Sequence, residues 1–115
     1  MSVSKQDLVT LFVGDNDESN SNDPVARIVA PDSLSNNVVF PRVGLSWNIN
    51  GVYDFIVIER KTTGEYSELA TVAGDSVMYD DETIEAATTY TYRIHAIAGE
   101  DISTNSNETV AEVPA

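Results

Sequence analysis

The stretch Ile84–Ala96 constrains this chain more than any other. Within it Tyr90, Tyr92, Ile94 and Ala96 alternate with Thr91, Arg93 and His95. A strict period of two puts one set on a buried face and the other on a wet one, which describes a half-buried β-strand and not a helix. Tyr90 opens the strand six residues after the apolar Ile84. That spacing suits a corner in which the ring packs inside and the hydroxyl holds backbone upstream.

The rest of the chain keeps the same rhythm. Residues 1–23 read as a short apolar arm followed by an acidic polar linker, and residues 24–115 as one domain. In the arm, Leu8, Leu11 and Phe12 fall at helical spacing behind Ser4-Lys5-Gln6-Asp7, while Val9, Thr10, Phe12 and Val13 also suit an extended strand. Either way the three large apolar residues need a surface to cover. From Pro24 the pattern predicts strand A at 25–29, strand B at 38–48, strand C at 53–61 and a strand at 66–72. Strand E follows at 77–80, then the strand after the corner, then strand G at 108–113. Turn signals at Asn50-Gly51, Gly64-Glu65, Gly74-Asp75 and Gly99-Glu100 separate most of them. Short strands with turns every eight to twelve residues are the rhythm of a β-sandwich.

Several of these segments resemble fibronectin type III domains. Ile84-Glu85-Ala86-Ala87-Thr88-Thr89-Tyr90-Thr91-Tyr92-Arg93-Ile94 is similar to the family's E–F corner and strand F, with Ala86-Ala87 standing where Pro-Gly is common. Leu45-Ser46-Trp47 resembles the strand B tryptophan, and Phe55-Ile56-Val57-Ile58-Glu59-Arg60 resembles strand C. Gly64-Glu65-Tyr66-Ser67-Glu68-Leu69-Ala70 resembles the C′ hairpin of bacterial-type members. The resemblance implies an all-β, seven-stranded antiparallel fibronectin type III/immunoglobulin-like sandwich behind an N-terminal arm. It also implies that strands C and F are neighbours. With Phe55 and Val57 turned inward, Ile56, Ile58 and Arg60 would then share an outer face with Arg93, His95 and Ile97. Clustered exposed isoleucines beside arginines read as a partner-binding face. The alternative is that the chain's own arm covers that face.

Composition limits what such a domain does. Nineteen acids against six bases leave a net charge of −13, which argues against nucleic-acid and anionic-membrane partners. There is no cysteine, so thiol chemistry, disulfides and the usual structural zinc sites are excluded. His95 is the single histidine, and no serine sits in a Gly-x-Ser-x-Gly elbow. The acidic loop Asp15–Asp23 offers hard oxygen ligands, but its register has Asn20 and Ala26 where an EF-hand needs Gly and Glu. No cofactor or metal site is expected, and the chain reads as non-enzymatic. It opens on Met1 with no export signal. A thiol-free acidic sandwich with a docking arm suggests a virion structural or decoration protein, made in the host cytoplasm. Its partners would be phage capsid or tail proteins, or further copies of itself. The alternative is an extracellular adhesion or carbohydrate-binding accessory module of a secreted bacterial protein.

Overall fold

Residues 28–115 are described by a computed structural model of the chain. The arm residues Leu8, Leu11 and Phe12, the acidic linker and residues 25–27 of the expected strand A lie outside the described residues. Among the described residues there are eight strands: β1 Asp32–Val39, β2 Arg42–Asn48, β3 Phe55–Lys61, β4 Ser67–Ala73, β5 Met78–Asp81, β6 Thr89–Ala98, β7 Asp101–Ile102 and β8 Thr109–Glu112. They form two antiparallel sheets. The smaller has the order β1-β2-β5; the larger runs β4-β3-β6, with β7 and β8 both pairing β6.

The eight strands differ from the seven expected in three places: Ile28 and Val29 of the expected strand A are not in a strand, β7 was not expected, and one predicted strand is split in two. The predicted strand at 38–48 is broken at Phe40-Pro41, so it becomes the end of β1 and all of β2, with Val39 opposite Arg42 across the turn. Proline donates no ladder hydrogen bond and belongs at such a break. β1 itself is poor in strand formers, since it reads Asp-Ser-Leu-Ser-Asn-Asn-Val-Val. It is held from the side by amide groups. The Asn107 side chain accepts from the Leu34 N–H and donates to the Leu34 carbonyl, each at 2.9 Å. The Asn36 amide donates to Thr109 Oγ1 at 2.8 Å and to the Val110 carbonyl at 2.9 Å. These bonds tie the edge of the small sheet to the segment around β8 in the large one. Tertiary contacts thus override a weak local preference.

Between the sheets lie Leu34, Val43, Leu45 and Trp47 from one side and Ile56, Ile58, Tyr92, Ile94 and Ala96 from the other. Trp47 is buried, and its indole N–H donates to the Ser76 carbonyl at 2.8 Å. The corner has the expected form. Tyr90 is buried and its hydroxyl accepts from the Glu85 N–H at 2.9 Å. Ala87 stands there at φ 59°, in the left-handed region. Its N–H donates to the Pro114 carbonyl at 3.0 Å, and the Val113 N–H donates to the Thr88 carbonyl at 2.9 Å. The C-terminal residues therefore clamp the corner, and a non-glycine residue is held in a conformation that disfavours a Cβ.

Two stability predictions follow from the corner. Tyr90→Phe leaves the Glu85 N–H without its partner and should cost about 1–3 kcal/mol by denaturant unfolding. Ala87→Gly relieves a left-handed strain of about 1–2 kcal/mol but adds freedom to the unfolded chain, so a net gain of roughly 0.5–1 kcal/mol is expected. A loss of stability in Ala87→Gly would mean that the corner does not hold this conformation in solution.

Candidate functional site

The register between β3 and β6 decides which side chains reach the surface of the large sheet. Ile56 pairs with Ala96, Ile58 with Ile94 and Arg60 with Tyr92. Directly opposed residues share a face, so these three follow the buried face of β6. Ile56 and Ile58 are fully buried, which corrects their expected place on an outer contact face. Phe-Ile-Val-Ile is a continuous apolar run, so its own periodicity could not set the phase. The outer set is instead Phe55, Val57 and Glu59, opposite Ile97, His95 and Arg93. Arg93, His95 and Ile97 are on the outer face as expected.

Arg60 also turns inward, and there it meets a charge from the other sheet. Asp81 ends β5, is fully buried, and accepts four hydrogen bonds. Its Oδ1 takes the Thr83 N–H at 3.0 Å and the Thr83 hydroxyl at 2.7 Å. Its Oδ2 takes Arg60 Nη1 at 2.8 Å and the Tyr92 hydroxyl at 2.7 Å. The Arg60 guanidinium also lies 4.8 Å from the centre of the Tyr90 ring. Burial pushes the Asp81 carboxyl up, but the Thr83, Tyr92 and Arg60 donors outweigh it and hold the group below the usual carboxylate range. Burial, and then donation to Asp81, push the Tyr92 phenol well above its ordinary value. A carboxylate with both oxygens doubly engaged has no acceptor left for a substrate proton. The cluster is a polar bolt between the sheets.

On the outer face a second network crosses three strands. Arg93 Nε donates to Glu59 Oε1 at 2.7 Å, and the His95 Nδ1 stands 4.0 Å from the same oxygen. The Arg93 guanidinium stacks 3.9 Å from the centre of the Tyr66 ring, with the Lys61 ammonium 4.7 Å from it. The Tyr66 hydroxyl donates to Glu108 Oε2 at 2.5 Å. Burial and that bond raise the Tyr66 phenol above its ordinary value. Tyr66 is the half-buried floor of this charged lattice. Tyr53, in contrast, is buried, with its hydroxyl donating to the Val29 carbonyl at 2.6 Å. Such partly exposed pairs add little stability, about 1 kcal/mol or less each.

At one end of the same face the lattice gives way to apolar side chains. Phe55 lies opposite Ile97, and Ile97 opposite Ile102. Phe55 is 50 % exposed and Ile102 is 58 % exposed, so a row of large apolar groups crosses β3, β6 and β7 in the open. An exposed apolar group was expected on this face; its members are Phe55, Ile97 and Ile102 in place of Ile56, Ile58 and Ile97. Phe55 and Ile102 were missed because only strand pairing brings them beside Ile97. Among the described residues, no group of three or more His, Asp or Glu gathers as a metal site would require.

Asp81 is ionised at a lower pH in the folded chain than in the unfolded one. Its contribution is thus full above about pH 4, the ordinary carboxylate value, and is lost as pH falls through the lower folded value. Asp81→Asn should cost about 3 kcal/mol at neutral pH. The gap between wild type and variant should narrow as the pH is lowered through this range, measured by urea unfolding at each pH. A gap independent of pH would show that the carboxylate charge is not what holds the bolt.

No protein-family model matches this sequence, and no curated protein matches it. Solved structures do match in three dimensions. A Fn3-like protein from Clostridium thermocellum superimposes with a TM-score of 0.67 at 25 % identity, over 76 % of this chain and 95 % of that one. A titin multidomain structure gives a TM-score of 0.68 at 14 % identity, over 76 % of this chain and 32 % of that one. A β-1,2-glucanase from Parabacteroides distasonis gives 0.70 at 19 % identity, over 79 % of this chain and 13 % of that one. The chain therefore spans nearly all of the first protein and a minor share of the other two. With its paired antiparallel sheets and tyrosine corner, the chain has the fold of a fibronectin type III-like β-sandwich.

Proposed function

We propose that this chain is a non-enzymatic module that packs against a neighbouring protein through the row Phe55–Ile97–Ile102. The single observation that carries this reading is the row itself. Three large apolar side chains stand side by side on three hydrogen-bonded strands, beside the Arg93–Glu59 ion pair. Burying such groups contributes roughly 25 cal/mol per Å² of apolar surface, and exposed apolar clusters mark interaction sites. Asp81 and Tyr92, whose ionisation is shifted in opposite directions, are engaged with each other inside the core. A scaffold of this kind leaves function to its surfaces.

Two assemblies suit such a module. One is a larger carbohydrate-active enzyme, supported by the glucanase in which a similar sandwich makes up a small part of the chain. The other is a virion, the reading that the acidic thiol-free composition and the arm suggested; nothing among these structural neighbours points to it. The two differ in what lies against Phe55.

A photo-cross-linking residue placed at Phe55 or at Ile97 in the native source should capture one discrete protein. The same residue at Glu82, an exposed position away from the row, should not. A capsid or tail protein in the cross-link would establish the virion assembly, and a hydrolase the accessory one. Ile97→Asp should abolish the cross-link from Phe55 while shifting stability by no more than about 1 kcal/mol. Equal capture from Phe55 and Glu82 would remove the row as a docking surface. Turnover of a β-glucan by the purified chain would remove the non-enzymatic reading.

A further inference from the structure

The outer face of the small sheet carries a feature that the docking row does not use. Its side chains stand in three cross-strand rows. Ser35, Ser46 and Met78 form the first, Asn37, Gly44 and Asp80 the second, and Val39 and Arg42 the third. The middle of the middle row is a glycine. Among the described residues Gly44 is the one glycine within a strand. A glycine there weakens the strand by roughly 0.5–1 kcal/mol relative to alanine, and it marks places where another molecule comes close to backbone. No positive φ demands glycine at this position. It lies in the floor of a trough of about 390 Å³ on this face of the sheet.

The lining of the trough is specific in kind. Asn37 and Asp80 stand on either side of Gly44, two strand spacings or about 10 Å apart. The Ser35 and Ser46 hydroxyls bond to each other at 3.1 Å along one end, and Arg42 stands at the other. Val39 and Met78, both exposed, supply apolar walls. Among the described residues the side chains of Asn37, Arg42 and Asp80 have no hydrogen-bond or salt-bridge partner. The face thus offers a carboxylate acceptor, an amide that both donates and accepts, a guanidinium donor and two hydroxyls, between two apolar patches.

We infer that this trough binds a neutral oligosaccharide, with a sugar ring seated over Gly44. Vicinal hydroxyls match the alternating donors and acceptors of Asn37, Asp80 and Arg42, and the apolar C–H faces of the ring match Val39 and Met78. The other ligand classes fit less well. A net charge of −13, with Asp80 in the site, repels a polyanion such as a uronic-acid polymer. One carboxylate is too few for a calcium site, which takes six to eight oxygens. A peptide strand adds to a sheet edge, and Gly44 lies on the central strand. This inference deepens the module reading above, on which it rests.

The test uses the full chain labelled with ¹⁵N and a neutral β-linked glucose tetramer as probe. The amides of Gly44, Ser46 and Asp80 should shift with saturable behaviour and the weak, roughly millimolar affinity of an open trough with few contacts. Gly44→Val fills the floor. Because the nearest atom to an added Cβ is the free end of Asp80, Oδ1 at 3.3 Å, the side chain has room to move away. The variant should therefore melt at the same temperature or higher and yet lose the shifts. Asp80→Ala should weaken binding by about tenfold, as loss of a charged acceptor does. If Gly44→Val does not fold, the double variant Asn37→Ala/Asp80→Ala carries the same expectation. No saturable shift with the tetramer, shifts that survive in these variants, or equal shifts with tetragalacturonic acid or calcium chloride would each overturn the inference. Hydrolysis of the tetramer, in contrast, would sink the non-enzymatic reading and leave the location of the trough intact.

Discussion

Direct opposition of β3 and β6 from Phe55↔Ile97 to Lys61↔Thr91 governs most of what this protein presents. Once Ile94 is fixed inward by its neighbours Tyr92 and Ala96, every residue of β3 takes its face from the residue across from it. A shift of one position would bring Glu59 into the core and put Ile58 in water. The core, the charged lattice and the apolar row are therefore consequences of one register. The pairing also explains why Arg60 is on the inside, since it lies opposite Tyr92.

An arginine directed into a sandwich needs a partner, and Asp81 comes from the opposite sheet to provide it. The resulting group joins β5 of the small sheet to β3 and β6 of the large one through two hydrogen bonds, from Arg60 and Tyr92, while Thr83 supplies two more to the same carboxylate from the segment that follows β5. Desolvating the two charges offsets much of their attraction, so such a pair is weak evidence for added stability. What it contributes is alignment. A polar bolt tolerates only the one stacking in which all its groups are satisfied, whereas an apolar core tolerates small slides. In a domain without disulfides that constraint keeps the two outer faces in a fixed relation.

Those faces differ in character. The large sheet shows paired charges over Tyr66 and, at one end, the Phe55–Ile97–Ile102 row. The small sheet shows hydroxyl, amide, carboxylate and guanidinium groups around a glycine floor. The first is suited to a dry contact with protein and the second to a hydrated, polar ligand. On the proposed reading, the sandwich holds one neighbour by the first face and presents the trough on its far side.

The alternation of β6 identified the inward Tyr90, Tyr92, Ile94 and Ala96 and the outward Arg93, His95 and Ile97, because a period of two is a local property of the chain, and the rhythm of strands and turns around it identified the fold class. The tyrosine corner was legible for the same reason, down to the backbone segment its hydroxyl holds. The phase of β3 was not legible: Phe55-Ile56-Val57-Ile58 is apolar at every position, and only the pairing with β6 chooses between its two faces. β1 escaped notice because its serines and asparagines favour turns, and it is held as a strand by its pairing with β2 and by the amides of Asn36 and Asn107 bonding across sheets. Arg60 is separated in the sequence from Asp81 and Tyr92, as Asp80 is from Asn37 and Gly44, and nothing local announces that they meet. Residue identity and spacing determine which strands form and which faces bury; which polar groups converge is decided by sheet order and stacking, a property of the assembled pair of sheets.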